Sequence, residues 1–275
     1  GRYRFLSGVS ECHWFGVECL ADKVRQINLK NNKLRGRIPS EISSLLLLKE
    51  LDLSYNSISG SFPDNLPDSI QKLILNNNDI RGTIPLHLDK YTKLITLSAG
   101  HNKLSGTLPP STFSPALEHL VLQGNTLQGT LPDTLYDVTY LSEIDLSSNQ
   151  FTGTISPQWS SLEYLYSLNL MANQFSGTLS DDIFSPSMGQ ILLGMNKLRG
   201  TLPEGLFASK HLKYLDLGAN EFTGTIPERF GELQSLKHLI LWKNKFTGTI
   251  PRQIGSMGSL EMFQVVYNYL SGEMP

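Results

Sequence analysis

Asn244-Lys-Phe-Thr-Gly-Thr-Ile-Pro251 decides the fold, because the chain repeats this stretch with small changes along most of its length. Versions of it occupy residues 220–227, 102–109 and, in weaker form, 32–39. Eight, five and three residues before Asn244 stand Leu236, Leu239 and Leu241, and a similar apolar triplet precedes the other copies. The anchoring asparagines are Asn32, Asn56, Asn78, Asn102, Asn125, Asn149, Asn173, Asn196, Asn220, Asn244 and Asn268, spaced 22 to 24 residues apart. A fixed period in this range marks a solenoid. Each unit of a solenoid touches only its neighbours, so the 275 residues read as one continuous array of eleven units.

Within a unit, the apolar triplet contains a short strand, with the side chains five and three residues before the Asn pointing inward and their flanking residues pointing out. Eleven such strands stacked about 4.8 Å apart give a parallel sheet roughly 50 Å long. Where the chain turns inward, the Asn amide can bond backbone groups that would otherwise be buried without partners. Gly follows four residues after every ladder Asn, from Gly36 to Gly272, and Pro stands three residues later in nine units, Ser156 and Ser180 being the exceptions. The Pro ends hydrogen-bonded pairing. Segments such as 228–236 have helix-like spacing but are too short for a stable α-helix, which predicts one turn of α or 3₁₀ helix on the convex side.

Composition narrows the function. With 40% hydrophobic and 17% charged residues the chain can bury a long core. A net charge of −2 excludes the basic footprint that nucleic acid or an anionic membrane attracts. The longest leucine run, residues 45–48, falls far short of the roughly 18 apolar residues a membrane span needs. The two cysteines stand in Cys12-His-Trp-Phe-Gly-Val-Glu-Cys19, just before the first unit. Zinc would want four ligands, so a disulfide closing a short loop is the better reading, and it implies an oxidising compartment. Residues 1–23 read as an N-terminal cap, with Trp14 and Phe15 lying over the open end of the core. Residues 24–275 are the repeats, the last one incomplete and without a cap, which predicts either further sequence after Pro275 or a partner covering that end.

The unit Leu-x-x-Leu-x-Leu-x-x-Asn-x-Leu-x-Gly-x-Ile-Pro resembles the plant-type leucine-rich repeat, and Cys12-x-Trp14-x-Gly16-Val17-x-Cys19 resembles that family's N-terminal cap. Similar repeats occur in secreted algal proteins. The resemblance implies an α/β leucine-rich-repeat solenoid with a second short sheet at the Gly-Thr-Ile-Pro segments. It also implies a secreted or extracellular location, or another oxidising lumen, and recognition of a protein, peptide or glycan. Inhibitors of cell-wall glycosidases belong to the same family, and an adhesive or structural subunit of a larger assembly is a further alternative.

In such a scaffold, information lies at the exposed strand positions. The early units carry mostly amides, hydroxyls and charges there, whereas units seven to eleven carry Met171, Leu192, Met195, Ile240, Trp242, Val266 and Tyr267, with Tyr214 alongside. Gly194 and Gly218 are expected to leave a hollow between these larger groups. A Trp flanked by Met and Tyr has the composition of an interface core. The alternative is scattered surface hydrophobes, which are ordinary. Asn149 and Asn244, with Cys12, Cys19 and Trp14, are assigned structural roles.

Two other patterns carry weaker readings. Thr83, Thr107, Thr130, Thr154, Thr178, Thr201, Thr225 and Thr249 form a column five residues after the ladder Asn. Such a column could match an ice lattice, or it could be present because Thr favours strands. The six histidines are dispersed, and His119 and Glu143 occupy equivalent positions in adjacent units without a nucleophile or an orienting third group. Glu50 and Lys72 form a similar neighbour pair, read as a surface salt bridge. The sequence therefore points to binding rather than catalysis, with no metal and no cofactor.

Overall fold

The computed structural model describes residues 10–111 and 113–273 of the chain. The part of the expected cap before Ser10 and the expectation about Pro275 lie outside the described residues. We number the repeats coil 1 to coil 11 by their ladder asparagines, Asn32 to Asn268. The coils stack into a curved array whose main sheet holds twelve strands in strict spatial succession. Eleven are parallel, one per coil, from Lys23–Asn28 to Met262–Gln264. The twelfth, Val17–Leu20, was not expected: it pairs antiparallel with Lys23–Asn28 and closes the N-terminal edge.

The Cys12–Cys19 disulfide ties this edge strand to the 3₁₀ turn Glu11–His13. Val17 and Cys19 are among the side chains packed on the end of the core. Phe15 is 81% exposed and Trp14 half-buried, so Phe15 does not form the expected lid. The reason is the strand itself. Once Val17–Leu20 pairs with coil 1, its inward side chains occupy the place assigned to the aromatic pair.

Each ladder Asn from Asn56 to Asn268 knits two coils together. Asn149 donates to Leu122 O of the preceding coil and to Leu146 O and Ser147 O of its own, each at 3.1 Å. Its carbonyl accepts from Leu127 N–H at 3.0 Å. Asn244 repeats the pattern with Leu217 O, Leu241 O, Trp242 O and Phe222 N–H. All four are backbone groups, and both asparagines are buried. Immediately before each ladder Asn the backbone enters the left-handed region, for example at Met195 (φ 58°) and Lys243 (φ 52°). Non-glycine residues seldom adopt it. The ladder bonds hold that turn in every coil.

After the Asn, the chain forms a second parallel sheet of short strands such as Gln150–Thr154 and Gln174–Gly177. Most of these strands start one residue after the Asn and end at the repeat Gly, earlier than the Gly-Thr-Ile-Pro placement the resemblance implied. Amides one and three residues after the Asn make the bonds, as in Lys245 N–H to Phe222 O (2.7 Å) and Thr247 N–H to Gly224 O (2.8 Å). The Gly then takes positive φ and turns the chain out of the sheet, as Gly153 does at 96°.

The threonine column consequently lies just beyond the strands, with Thr154 the exception, and strand preference does not account for it. Packing does. The γ-methyl of Thr130 sits 2.9 Å from where a β-carbon on Gly153 would be, and the same contact recurs from Thr83–Gly106 to Thr249–Gly272. Each Thr methyl thus covers the bare backbone of the next coil's glycine.

The convex side carries 3₁₀ turns and, among the described residues, no α-helix. Beneath them runs one continuous core, in which Phe151 stacks on Phe175 and Phe222 on Phe246 at 6.4 and 6.3 Å between ring centroids. Two glycines in these turns test how tightly the coils pack. A β-carbon on Gly205 would fall 1.9 Å from Asp181 O, whereas one on Gly255 would meet nothing within 4 Å. Gly205→Ala is expected to destabilise the fold by about 2–3 kcal/mol through overpacking against backbone. Gly255→Ala should be neutral or stabilising by up to ~1 kcal/mol, because it restricts only the unfolded chain. Urea unfolding of the two variants side by side checks the difference. Equal effects would show that the spacing of these turns is not fixed by packing.

Candidate concave recognition site

The concave sheet presents columns of side chains at fixed offsets from the ladder. Six residues before the Asn, register aligns Gln190, Tyr214, His238 and Met262; four before it, Leu192, Asp216, Ile240 and Gln264. Past the strand ends the backbone stays in step, with Met195 N–H bonding Gly218 O and Ala219 N–H bonding Trp242 O, both at 2.7 Å. Two residues before the Asn, adjacent coils therefore carry Met171, Gly194, Gly218, Trp242 and Val266.

The register sets Leu192 and Ile240 on either side of Asp216 on the face of coils 8 to 10, with Tyr214 two residues before it and Trp242 over Gly218, all four half-buried. The Tyr214 ring meets His238 edge to face at 4.9 Å. Met195, 51% exposed, sits at the turn position that Tyr267 holds in coil 11, with the same φ of 58°. Met171 lies one coil further out, next to Gly194 in its column. Val266 and Tyr267, 61% and 79% exposed, belong to coil 11, which has no following coil among the described residues to cover it. Tyr267 turns away from the others and lines a shallow cleft of 380 Å³ with Lys243, Lys245 and Tyr269 at the ladder edge.

The expected hollow at the two glycines is absent. A β-carbon on Gly218 would lie 2.3 Å from Trp242 Nε1, so the indole fills that space. At Gly194 the Asp216 carboxylate does the same, with Oδ1 2.6 Å from the corresponding position. The glycines let larger groups of neighbouring coils lie down on the sheet rather than leaving it open.

Sequence reasoning passed over Asp216, which stands at the centre of this group and is only 7% exposed. Its Oδ1 accepts from Gly218 N–H at 2.8 Å. Burial pushes its pKa up, the Gly218 bond opposing this only in part. The equivalent Asp52 and Asp145 each accept a second bond, from the hydroxyls of Ser54 and Ser147, at 2.6 Å. The signal lay in the sequence as Asp216-x-Gly218 against Asp52-x-Ser54 and Asp145-x-Ser147.

The other candidates fall outside this group. His119 Nδ1 lies 3.2 Å from Glu143 Oε2 and its Nε2 3.9 Å from Glu118 Oε2. The three form a solvated cluster of one imidazole between two carboxylates, with no nucleophile in it. Glu50 and Lys72 are 3.9 Å apart beside a polar cleft of 370 Å³ that Arg25 and Lys49 also line. Among the described residues no group of three or more His, Cys, Asp or Glu side chains is arranged to hold a metal, and no helix is long and apolar enough to cross a membrane.

The repeat geometry and the cap define a class of protein, and comparison with known families agrees with it. Leucine-rich-repeat family models match residues 23–45, 47–68, 116–137, 140–162 and 210–270, together more than half of the chain. The chain belongs to the leucine-rich-repeat family, and its repeats are of the plant type. It is 50% identical over 50 residues to the leucine-rich repeat receptor protein kinase EMS1 of Arabidopsis thaliana, a match covering 18% of this chain and 4% of that protein. It superposes on the Arabidopsis receptor kinase HAESA, solved with the peptide hormone IDA and the co-receptor SERK1, with TM-score 0.86 and 33% identity. That match covers 92% of this chain and 43% of the HAESA chain, so the chain spans less than half of these relatives. A plant ice-binding protein has the same fold, with TM-score 0.80 over 97% of this chain and 88% of its own, at 23% identity.

Proposed function

We propose that this chain is a non-catalytic, extracellular recognition module that binds a peptide or an extended protein segment on the concave face of coils 8 to 10. The reading rests on one observation: Leu192, Tyr214, Ile240 and Trp242 surround Asp216 on a parallel sheet whose early coils present mostly polar side chains. A preformed sheet spends little ordering entropy on association. Half-buried aromatic and aliphatic groups of this kind supply most of the energy in an interface. HAESA, which shares the fold over most of this chain, was solved with a peptide hormone bound. The disulfide fits an oxidising extracellular setting.

The test is a random-peptide display library panned against the immobilised chain. Enriched peptides should lose measurable binding to Ile240→Glu, which places a charge inside the group, and keep it toward Thr223→Glu on the second sheet. Peptides indifferent to Ile240→Glu would contradict the assignment. Inhibition of a cell-wall glycosidase, or self-association of the purified chain, would favour the family's other roles. Freezing hysteresis is expected to be nil. The threonine methyls are taken up in coil-to-coil packing, and Arg81 and Arg199 interrupt the hydroxyl row two residues before Thr83 and Thr201.

A further inference from the structure

Asp216 departs from the pattern of its own repeat. In coils 2 and 6 the same position carries an Asp whose carboxylate is satisfied by both the amide and the hydroxyl of a Ser two residues on. In coil 9 that Ser is Gly218, so Asp216 Oδ1 accepts one backbone bond where Asp52 and Asp145 Oδ1 accept two, and its Oδ2 has no hydrogen-bond partner among the described residues. The register sets it between Leu192 and Ile240, and Tyr214 and Trp242 wall the flanks. No cation among the described residues neutralises it. Lys237 is paired with Glu261 at 2.6 Å, and the exposed Lys213 and Lys243 stand toward the two ends of the strands without an ion pair. A desolvated carboxylate with no counter-charge weakens the fold that carries it. Such groups persist where a ligand supplies the missing partner. The Trp242 indole N–H, one coil away, also donates to none of the described residues and lies against Gly218 beside the carboxylate.

We infer that Asp216 is the specificity determinant of the concave site: it receives the basic side chain, arginine or lysine, of the bound peptide. The aliphatic stem of that side chain lies along Leu192 and Ile240. Its charged head meets the free carboxylate oxygen, and the Trp242 N–H takes a carbonyl of the peptide backbone. Only a long side chain with an apolar stem and a cationic tip satisfies both the wall and the floor. This rests on the concave-face reading above and adds the chemistry of the residue recognised.

The experiment uses peptides enriched from the random display library on the wild-type chain, with Asp216→Asn and Trp242→Ala as variants. Enriched peptides should share one Arg or Lys at a fixed spacing from an apolar residue. Replacing it with citrulline (for Arg) or norleucine (for Lys) should weaken binding to the wild type roughly 30-fold. Parent-peptide binding should fall by a similar factor on Asp216→Asn, and there the same replacement should cost no more than about 3-fold. A replacement that costs equally on both proteins, or enriched peptides without a basic residue, would overturn the inference. If Trp242→Ala still abolishes binding in that case, the concave reading survives alone. Peptides that bind all three proteins alike, or no enrichment at all, would end both.

Folding provides an independent check. The Asn variant keeps the bond from Gly218 and removes the buried charge. Because burial raises the folded-state pKa of Asp216, the native wild type binds more protons than the unfolded chain in the window between the ordinary carboxylate value and the raised one. Wild-type stability therefore falls as pH rises through that window. Asp216→Asn should match the wild type below the window and equal or exceed it at pH 7. A variant clearly less stable at pH 7 would mark the carboxylate as structural and overturn the assignment.

Discussion

Replacing Asn149 with alanine is expected to lower the unfolding free energy by about 3–5 kcal/mol, one of the two largest effects anticipated for any single residue here. The magnitude follows from what the side chain leaves behind. Leu127 N–H loses its acceptor, and Leu122 O, Leu146 O and Ser147 O each lose one of two donors, keeping those from Asn125, Asn173 and the Gly124 N–H. The orphaned N–H costs roughly 1–3 kcal/mol and each lost bond to a carbonyl roughly 0.5–1.5 kcal/mol, and water entering the cavity recovers part of that. The control lies in the same ladder. Asn32 in coil 1 is exposed, and its amide donates only to Lys30 O at 3.0 Å. Asn32→Ala should therefore cost less than about 1 kcal/mol. Denaturant unfolding of both variants reads the contrast. Similar losses at the two positions would mean that the column is not what joins one coil to the next.

The second large effect concerns binding. Trp242→Ala should weaken association with a library-selected peptide by at least ~2 kcal/mol, about 30-fold in Kd, as truncation of a central interface aromatic does. The indole covers Gly218 and forms one wall of the Asp216 site, so its loss both removes contact area and lets water reach the carboxylate. The fold should survive. The backbone of Trp242 holds the coil through its carbonyl, which accepts from Ala219 N–H at 2.7 Å, and alanine keeps that carbonyl. Titration calorimetry with an unchanged circular-dichroism spectrum would establish the point. Unaltered affinity would remove Trp242 from the site.

How much of this could be read in the residues depends on whether a feature is set within one coil or between two. The ladder asparagines, the inward leucines and the concave strands are fixed by the period alone, because every coil buries the same positions against the same neighbours. The resemblance set the second sheet a few residues too late, at the Gly-Thr-Ile-Pro segments. What decides is the hydrogen bonds that residues such as Lys245 and Thr247 make to the preceding coil, and these stop at the repeat Gly. The threonine column was set against local strand preference, while its contacts are with glycines 22 or 23 residues ahead.

At the site, the apolar members were legible as a cluster of large side chains in the later units. Their arrangement was not. Gly218 looked like an opening until the Trp242 indole was seen to lie on it. Asp216 looked like Asp52 and Asp145 until the hydroxyl missing at Gly218 set it apart. Tyr267, grouped with Trp242 by composition, faces the ladder edge instead, because the turn that carries it has φ of 58°.

Photo-crosslinking with a selected peptide carrying a diazirine side chain, followed by digestion and mass spectrometry, tests the central claim most directly. Adducts should concentrate on Leu192, Tyr214, Ile240 and Trp242. Adducts on the threonine row or on the convex turns, with these four residues unlabelled, would contradict it.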